Sequence, residues 1–262
     1  MVKKYSLLEL LKKAPKDWPK VVRTKWRFWP TEASCKALDG KVRGKCLRTC
    51  AYQWLGYDVT NPVNDFVKEC GNIGNYLEDK MIRECKAKGI LPPELNKKSV
   101  RKQQVIMFDD AQLSGEIDIL IGGGTQQAGV EVKSYVNSTY KVEAGPKDPH
   151  LLQAFLYLCM FEPKQPYFII AYKPSPLSKW ATKDVYHRID SVTLDGKTHP
   201  VINGKIDRDI SLEGIIERYR ALKKYVEAGV LPKREFSKTS KNCEYCPYHD
   251  RCWKTDPEGT DL

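Results

Sequence analysis

Gly115-Glu116-Ile117-Asp118-Ile119-Leu120-Ile121 and Gly129-Val130-Glu131-Val132-Lys133-Ser134-Tyr135 read as two β-strands joined through the glycine-rich turn Gly122-Gly123-Gly124. Residues i and i+2 of a strand share a face, so Glu131 and Lys133 project together, and strand pairing can bring Asp118 beside them. An acid-x-lysine alone is weak evidence, because acids and lysines alternate on many solvated strands. Here Ile117, Ile119, Leu120, Ile121, Val130 and Val132 give both strands a buried character, and an unpaired charge in such a setting is costly. The pattern therefore points to a site. Asp118, Glu131 and a main-chain carbonyl, for which Val132 is the natural candidate, suit Mg²⁺ or Mn²⁺, with water and a phosphate oxygen completing the octahedron. Lys133 would orient the attacking water or neutralise charge on the phosphorus oxygens, which is the chemistry of phosphodiester hydrolysis.

Around this pair, helical patterning runs from Arg48 to Leu55, from Gly74 to Lys88 before Gly89 and Pro92-Pro93, and from about Pro149 to Phe161 before Pro163. A further helix is expected over Leu212 to Glu227, and an amphipathic one over Ser6 to Lys13 ahead of Trp18, Trp26 and Trp29. Strand signals occupy Gln103 to Phe108, Tyr167 to Tyr172 and, with exposed alternation, Val185 to Leu194. The order predicts an α/β domain with a central mixed sheet flanked by helices. We divide it into a basic, aromatic segment over 1–45, a core over 46–235 and a cysteine-rich tail over 236–262.

The chain has 262 residues, enough to bury a sizeable core, and carries 44 Lys and Arg against 33 Asp and Glu, a net charge of +11. That excess favours a polyanionic partner, and the interleaved aromatics suit base stacking. No apolar run approaches a membrane span and the first ten residues lack a signal-peptide h-region, so a cytoplasmic protein with no membrane partner is expected. Nine cysteines in such a chain suggest thiols or metal ligands rather than disulfides. No G-x-x-x-x-G-K-[ST] loop is present, which argues against an ATP motor.

The motifs resemble those of the PD-(D/E)XK nucleases, and more narrowly the RecB-like branch that carries an iron–sulfur cluster. Gly115-x-x-Asp118 and Glu131-x-Lys133 are similar to that superfamily's second and third motifs, and Gln153-Ala154-Phe155-Leu156-Tyr157 resembles the Q-x-x-x-Y signature of the branch. Gln153 and Tyr157 lie one helical turn apart, and the resemblance gives them a part in binding DNA and shaping the site. Gly74-Asn75-Tyr76-Leu77-Glu78 resembles the early G-x-x-x-(H/E) element, which makes Glu78 a third carboxylate where many members have histidine. The implied fold is a restriction-endonuclease-like core with a cysteine-clamped cluster subdomain.

Cys243-x-x-Cys246 and Cys252 offer three thiolates in a short tail. The resemblance supplies the fourth from Cys46-Leu47-Arg48, with Cys50 and Cys35 as alternatives, giving a [4Fe-4S] cluster on Cys46, Cys243, Cys246 and Cys252. Structural zinc competes, since tetrathiolate sites also hold Zn²⁺ and His249 sits among these cysteines. A cross-link closing so long a loop would stabilise the fold by on the order of 5 kcal/mol in the chain-entropy treatment.

Taken together, the resemblance implies a Mg²⁺- or Mn²⁺-dependent deoxyribonuclease, an exonuclease on single strands or ends, with Asp118, Glu131, Lys133 and Glu78 catalytic. Arg48, with Tyr52 and Trp54, is expected to guide the strand, and recombination or CRISPR adaptation proteins are the expected partners. The alternatives are a DNA-binding module that does not cut and an endonuclease of the same superfamily.

Overall fold

The computed structural model describes residues 27–62, 65–91, 103–108, 111–122, 127–136, 138–161 and 165–261. The expected helix over Ser6 to Lys13, Trp18, Trp26, Gly123-Gly124 and Pro92-Pro93 lie outside the described residues. Eleven strands are described: β1 (Arg27–Phe28), β2 (Ser34–Lys36), β3 (Val42–Gly44), β4 (Gln103–Phe108), β5 (Ala111–Glu116), β6 (Ile119–Ile121), β7 (Ala128–Tyr135), β8 (Phe168–Pro174), β9 (Val185–Leu194), β10 (Lys197–Ile202) and β11 (Lys205–Ile206). The helices are α1 (Leu47–Trp54), α2 (Asp65–Ala87), α3 (Thr139–Glu143), α4 (Asp148–Met160), α5 (Leu212–Glu227) and α6 (Lys241–Glu244).

The main sheet has the order β11-β10-β9-β8-β7-β6, parallel between β7 and β8 and antiparallel elsewhere. It is therefore mixed, as expected. A second sheet, β1-β5-β4, includes a parallel pair of β1 with β5, and β2 pairs with β3 in a hairpin.

β7 is buried on both faces from Ala128 to Val132, which is why its sequence reads as a nearly continuous apolar run. Its two faces meet different helices. Val130 and Val132, with Ala171 of β8, pack against Ile82 and Cys85 of α2. Tyr135, with Ile170 and Tyr172 of β8, joins the larger core built on α4 and α5. α4 is buried without interruption from Leu151 to Leu158, so it forms the centre of the molecule rather than a surface helix. α5 begins at Ser211, whose Oγ accepts from the Gly214 N–H at 3.0 Å, a standard N-terminal cap.

Two details depart from the expected elements. The strand expected over Glu116–Ile121 breaks at Ile117-Asp118, where the chain leaves one sheet and enters the other. α2 begins at Asp65, nine residues before Gly74, because its glycines fall within the helix without ending it. No described helix is long and apolar enough to cross a membrane.

Candidate active site

β6 pairs with β7 only from Ile119↔Val130 to Ile121↔Ala128, while β7 continues to Tyr135. The main-chain edge of β7 is therefore left open beyond Val130. Carried one residue further, the same register sets Asp118 opposite Glu131. The Asp118 carboxylate takes over the pairing there, its Oδ2 accepting the Val132 N–H at 2.8 Å. A strand break at this point turns an edge hydrogen bond into the anchor of an acid.

Glu131 projects toward the α4 side of the sheet and is 1% exposed. Its Oε1 accepts from Lys133 Nζ, two residues along the same face. Its Oε2 is buried with no hydrogen-bond partner among the described residues. Burial and the neighbouring Asp118 carboxylate push the Glu131 carboxyl up to about 8, against the pull of Lys133, and Glu78 adds to the push. Burial opposes the charge on Lys133, but Glu131, Asp118 and Glu78 hold its ammonium above the ordinary lysine range. Besides burial, both shifts reflect Asp118 and Glu78 acting on the Glu131–Lys133 pair, so acids outnumber the one lysine.

Glu78, on α2, adds its charge to both groups, and Gly74 of the same helix lies against β7 at Ser134. The excess of acid and the orphaned Oε2 are what a site for a divalent cation requires, and carboxylate oxygens are the right donors for Mg²⁺ or Mn²⁺. Among the described residues, however, no three His, Cys, Asp or Glu side chains are gathered closely enough to hold a metal ion.

Gln153 and Tyr157 lie on α4 and are buried, the Gln153 Nε2 donating to the Tyr157 hydroxyl at 3.1 Å. Burial and Glu131 raise the Tyr157 phenol above its ordinary range. The Tyr157 ring also explains Gly115: a Cβ there would sit 2.8 Å from Tyr157 Cε1 and 2.9 Å from Pro30 Cγ. Tyr157 and Pro30 thus clasp β5 just before the chain turns to deliver Asp118. The pair braces the acids from beneath.

His150 escaped the sequence reading. Its Nδ1 lies 2.8 Å from the Tyr172 hydroxyl, which also accepts the Lys147 N–H at 3.0 Å. Tyr172 is the ladder partner of Lys133. Burial, Lys133 and Lys147 drive the imidazole down to about 3, so it is neutral at physiological pH. Its position three residues before Gln153 on α4 was the available signal.

Arg48, expected to guide a strand, is turned inward. Arg48 is 1% exposed, and its guanidinium donates to the carbonyls of Pro232 at 2.8 Å, Glu258 at 2.8 Å and Pro257 at 2.6 Å, with Nε donating to Tyr52 OH at 3.0 Å. Tyr52 is equally buried, and the half-buried Trp54 packs on Phe28 with ring centroids 5.2 Å apart. The physical reason is that α1 faces the returning tail. Gly259, at φ +97°, admits the close approach, since a Cβ there would lie 2.5 Å from Arg48 Nη1.

The tail cysteines dock on the same helix. Cys46 immediately precedes α1, and the Thr49 hydroxyl lies 3.3 Å from Cys246 Sγ. Cys50 is buried in the main core, and Cys35 Sγ faces the carbonyls of Lys36 and Asp209. Burial and Glu235 push the Cys46 thiol up to about 11. Arg234 fastens the π-helical turn Arg251–Thr255 through the Cys252 carbonyl at 3.0 Å from its Nε and the Asp256 carbonyl at 2.8 Å from its Nη2. A separate cavity of about 630 Å³ between Pro146, Asn203 and Asp207 involves none of Asp118, Glu131 and Glu78.

No curated protein matches the chain. A solved structure described as "Crystal structure of SSO0001" shares 14% identity over 97% of this chain and 94% of that one, at a TM-score of 0.47. A family model described as "PD-(D/E)XK nuclease superfamily" matches residues 77–253, a span that takes in Glu78, Asp118, Glu131, Lys133, Gln153 and Tyr157. With well over half its length so matched, and with an acid pair and lysine meeting at a strand break, the chain belongs to the PD-(D/E)XK nuclease superfamily.

Proposed function

We propose that the protein is a Mg²⁺- or Mn²⁺-dependent deoxyribonuclease of the RecB-like type, acting as an exonuclease on single strands or DNA ends in recombination, repair or CRISPR or viral DNA processing. The observation that carries this reading is Glu131: wholly buried, tied to Lys133 on one oxygen and orphaned on the other, opposite Asp118. Asp118 and Glu131 would hold the cation, with Glu78 and the Val132 carbonyl assisting. Once bound, the cation supplies charge neutralisation at the phosphate and lowers the pKa of water.

The chain's own residues do the rest. Lys133, kept protonated by the surrounding acids, donates to one oxygen of Glu131, opposes the rise in its pKa, and presents its remaining N–H donors to water or a phosphate oxygen. The Val132 N–H fixes one oxygen of Asp118 and so sets the direction of the other. Gln153 and Tyr157 keep the strand break in place through Gly115. Neutral His150 adds no competing charge beside Lys133.

For the tail, a [4Fe-4S] cluster on Cys46, Cys243, Cys246 and Cys252 is supported by the apposition of the first turn of α1 to Cys246. Structural zinc is the rival, and iron and sulfide analysis after anaerobic purification decides between them.

Cleavage of end-labelled linear and closed circular single-stranded DNA in Mn²⁺, with Asp118→Ala as control, tests the nuclease. Asp118-dependent loss of the linear substrate alone is expected. Cleavage of the circle would make it an endonuclease, and binding without any Asp118-dependent cleavage would make it a non-cutting module.

A further inference from the structure

Tyr140 and Trp180 stand 78% and 72% exposed, while Trp29, Trp54 and Trp253, the other tryptophans among the described residues, are partly buried. Single exposed aromatics are ordinary, but these two are displayed on one braced scaffold. The Thr139 N–H donates to the Trp180 carbonyl at 3.1 Å, which puts Tyr140 and Trp180 on adjoining backbone. Ser178 Oγ accepts from the N–H groups of Trp180 and Ala181, each at 3.1 Å, and donates to the Val136 carbonyl at 2.6 Å. The His187 Nε2–H donates to the Val142 carbonyl at 2.7 Å and fixes α3 from below.

The scaffold is joined to the catalytic strand. Tyr135, two residues beyond Lys133 on the same face of β7, is buried, and its hydroxyl donates to the Lys183 carbonyl at 2.5 Å and lies 3.1 Å from Thr139 Oγ1. The Tyr135 carbonyl accepts the Ser175 N–H at 2.9 Å. One residue therefore ties both the start of α3 and the loop 175–184 to the strand that carries Glu131 and Lys133. Charge on this scaffold favours a polyanion: Lys141, Lys173, Lys179 and Lys183 stand against Glu143 and Asp184, and each of those acids is ion-paired to Lys183 or Lys173. An exposed indole and phenol carried on a braced backbone among lysines suit stacking on unpaired bases, since a base in a duplex has no free face.

We propose that Tyr140 and Trp180 form a stacking platform that receives the bases of single-stranded DNA as its backbone passes Lys133. This rests on the nuclease reading and gives it a specificity, because the platform selects single strands or frayed ends over intact duplex.

The test is fluorescence anisotropy of a labelled oligothymidine in EDTA, which suppresses cleavage, with wild type, Tyr140→Ala, Trp180→Ala and the double variant. Each single change is expected to weaken binding about tenfold, as loss of a base–aromatic stack does, with affinity for blunt, covalently closed duplex unchanged and Trp180→Phe near wild type. In Mn²⁺ the variants should show a raised KM with kcat retained. Both side chains are exposed, so thermal melting of the variants should match wild type. Unchanged affinity in the double variant would overturn the platform and leave the patch to a protein partner, and an equal loss on duplex would also overturn it. The two readings separate cleanly. A wild type that binds through the platform without cutting refutes the nuclease alone, whereas a wild type that cuts and a double variant that binds equally well refute the platform alone.

Discussion

Glu131 and Arg48 are both charged groups withdrawn from water to the same 1% exposure, and the chain treats them in opposite ways. Arg48 donates to three main-chain carbonyls and to Tyr52, so its charge is dispersed over dipoles of a tail that exists to receive it. Glu131 has one ammonium, two further acids acting on it and an oxygen without a partner. A satisfied buried charge contributes to the fold; an unsatisfied one is tolerated only where something else is to bind. The comparison separates scaffold from site without reference to sequence motifs. A basic residue beside Tyr52 and Trp54 suggested a DNA contact, but the partners of Arg48 belong to its own chain.

The largest effect that would break the comparison is on activity. Asp118→Ala and Lys133→Ala should each lower cleavage by about 10³-fold or more, the scale at which electrostatic groups act on a transition state. Melting temperature should stay at or above wild type in Asp118→Ala, which relieves crowding among acids, and fall modestly in Lys133→Ala, which leaves the buried Glu131 without its cation. A variant that lost activity only by unfolding would place Lys133 with the scaffold. Arg48→Met should do the reverse: about 3–5 kcal/mol of stability lost in urea denaturation, from three orphaned carbonyls, with cleavage per folded molecule retained. A stable Arg48→Met protein with impaired DNA binding would restore Arg48 to the substrate path.

Glu131 allows a finer distinction through pH. Its carboxyl lies near 8 in the folded chain against about 4.5 unfolded, so folding prefers the protonated form. The penalty is absent below about pH 4.5, grows as pH rises through the window up to about 8, and is complete above it. In EDTA, stability should therefore fall between pH 5 and 8 by on the order of a few kcal/mol, and Glu131→Gln should flatten that fall. Mn²⁺ should offset it in wild type and not in Glu131→Gln. If stability instead rose through this window in a Glu131-dependent way, Lys133 would be satisfying Glu131 as the carbonyls satisfy Arg48.

Much of the architecture was open to a sequence reading because local pattern and tertiary setting agreed. The Val185–Leu194 strand alternates as a strand exposed on one face must, and the Leu212–Glu227 helix is amphipathic and capped by Ser211. Asp118, Glu131 and Lys133 were legible because charges within an apolar strand run are expensive. The strands Arg27–Phe28, Ser34–Lys36 and Val42–Gly44 were missed, since two or three residues carry no period and their pairing is set by the distant β5 or a short hairpin. The break at Ile117-Asp118 was hidden for a related reason: apolar residues continue across it, and only the change of sheet reveals that the strand has ended. His150 was missed because its side-chain partner, Tyr172, comes from a distant strand.

The smallest expected effect lies where scaffold and site touch. Gly115→Ala places a Cβ 2.8 Å from Tyr157 Cε1 and 2.9 Å from Pro30 Cγ, closer than packed carbons tolerate. Tyr157 is hemmed in by Phe161 and Phe168, with ring centroids 4.9 Å and 5.7 Å away, so it has little room to retreat. Overpacking of this kind costs about 1–2 kcal/mol, well below the loss expected for Arg48→Met. The strain has two outlets. If β5 moves, Asp118 moves with it, and cleavage falls further than a change of this size in stability would suggest. If Tyr157 moves, its bond from Gln153 is stretched while Asp118 keeps the Val132 N–H, and activity follows stability. Measuring kcat and urea stability on the same Gly115→Ala protein, alone and with Tyr157→Leu to make room, distinguishes them: recovery of cleavage in the double variant shows that Tyr157 serves the site through the position of the strand rather than through its hydroxyl.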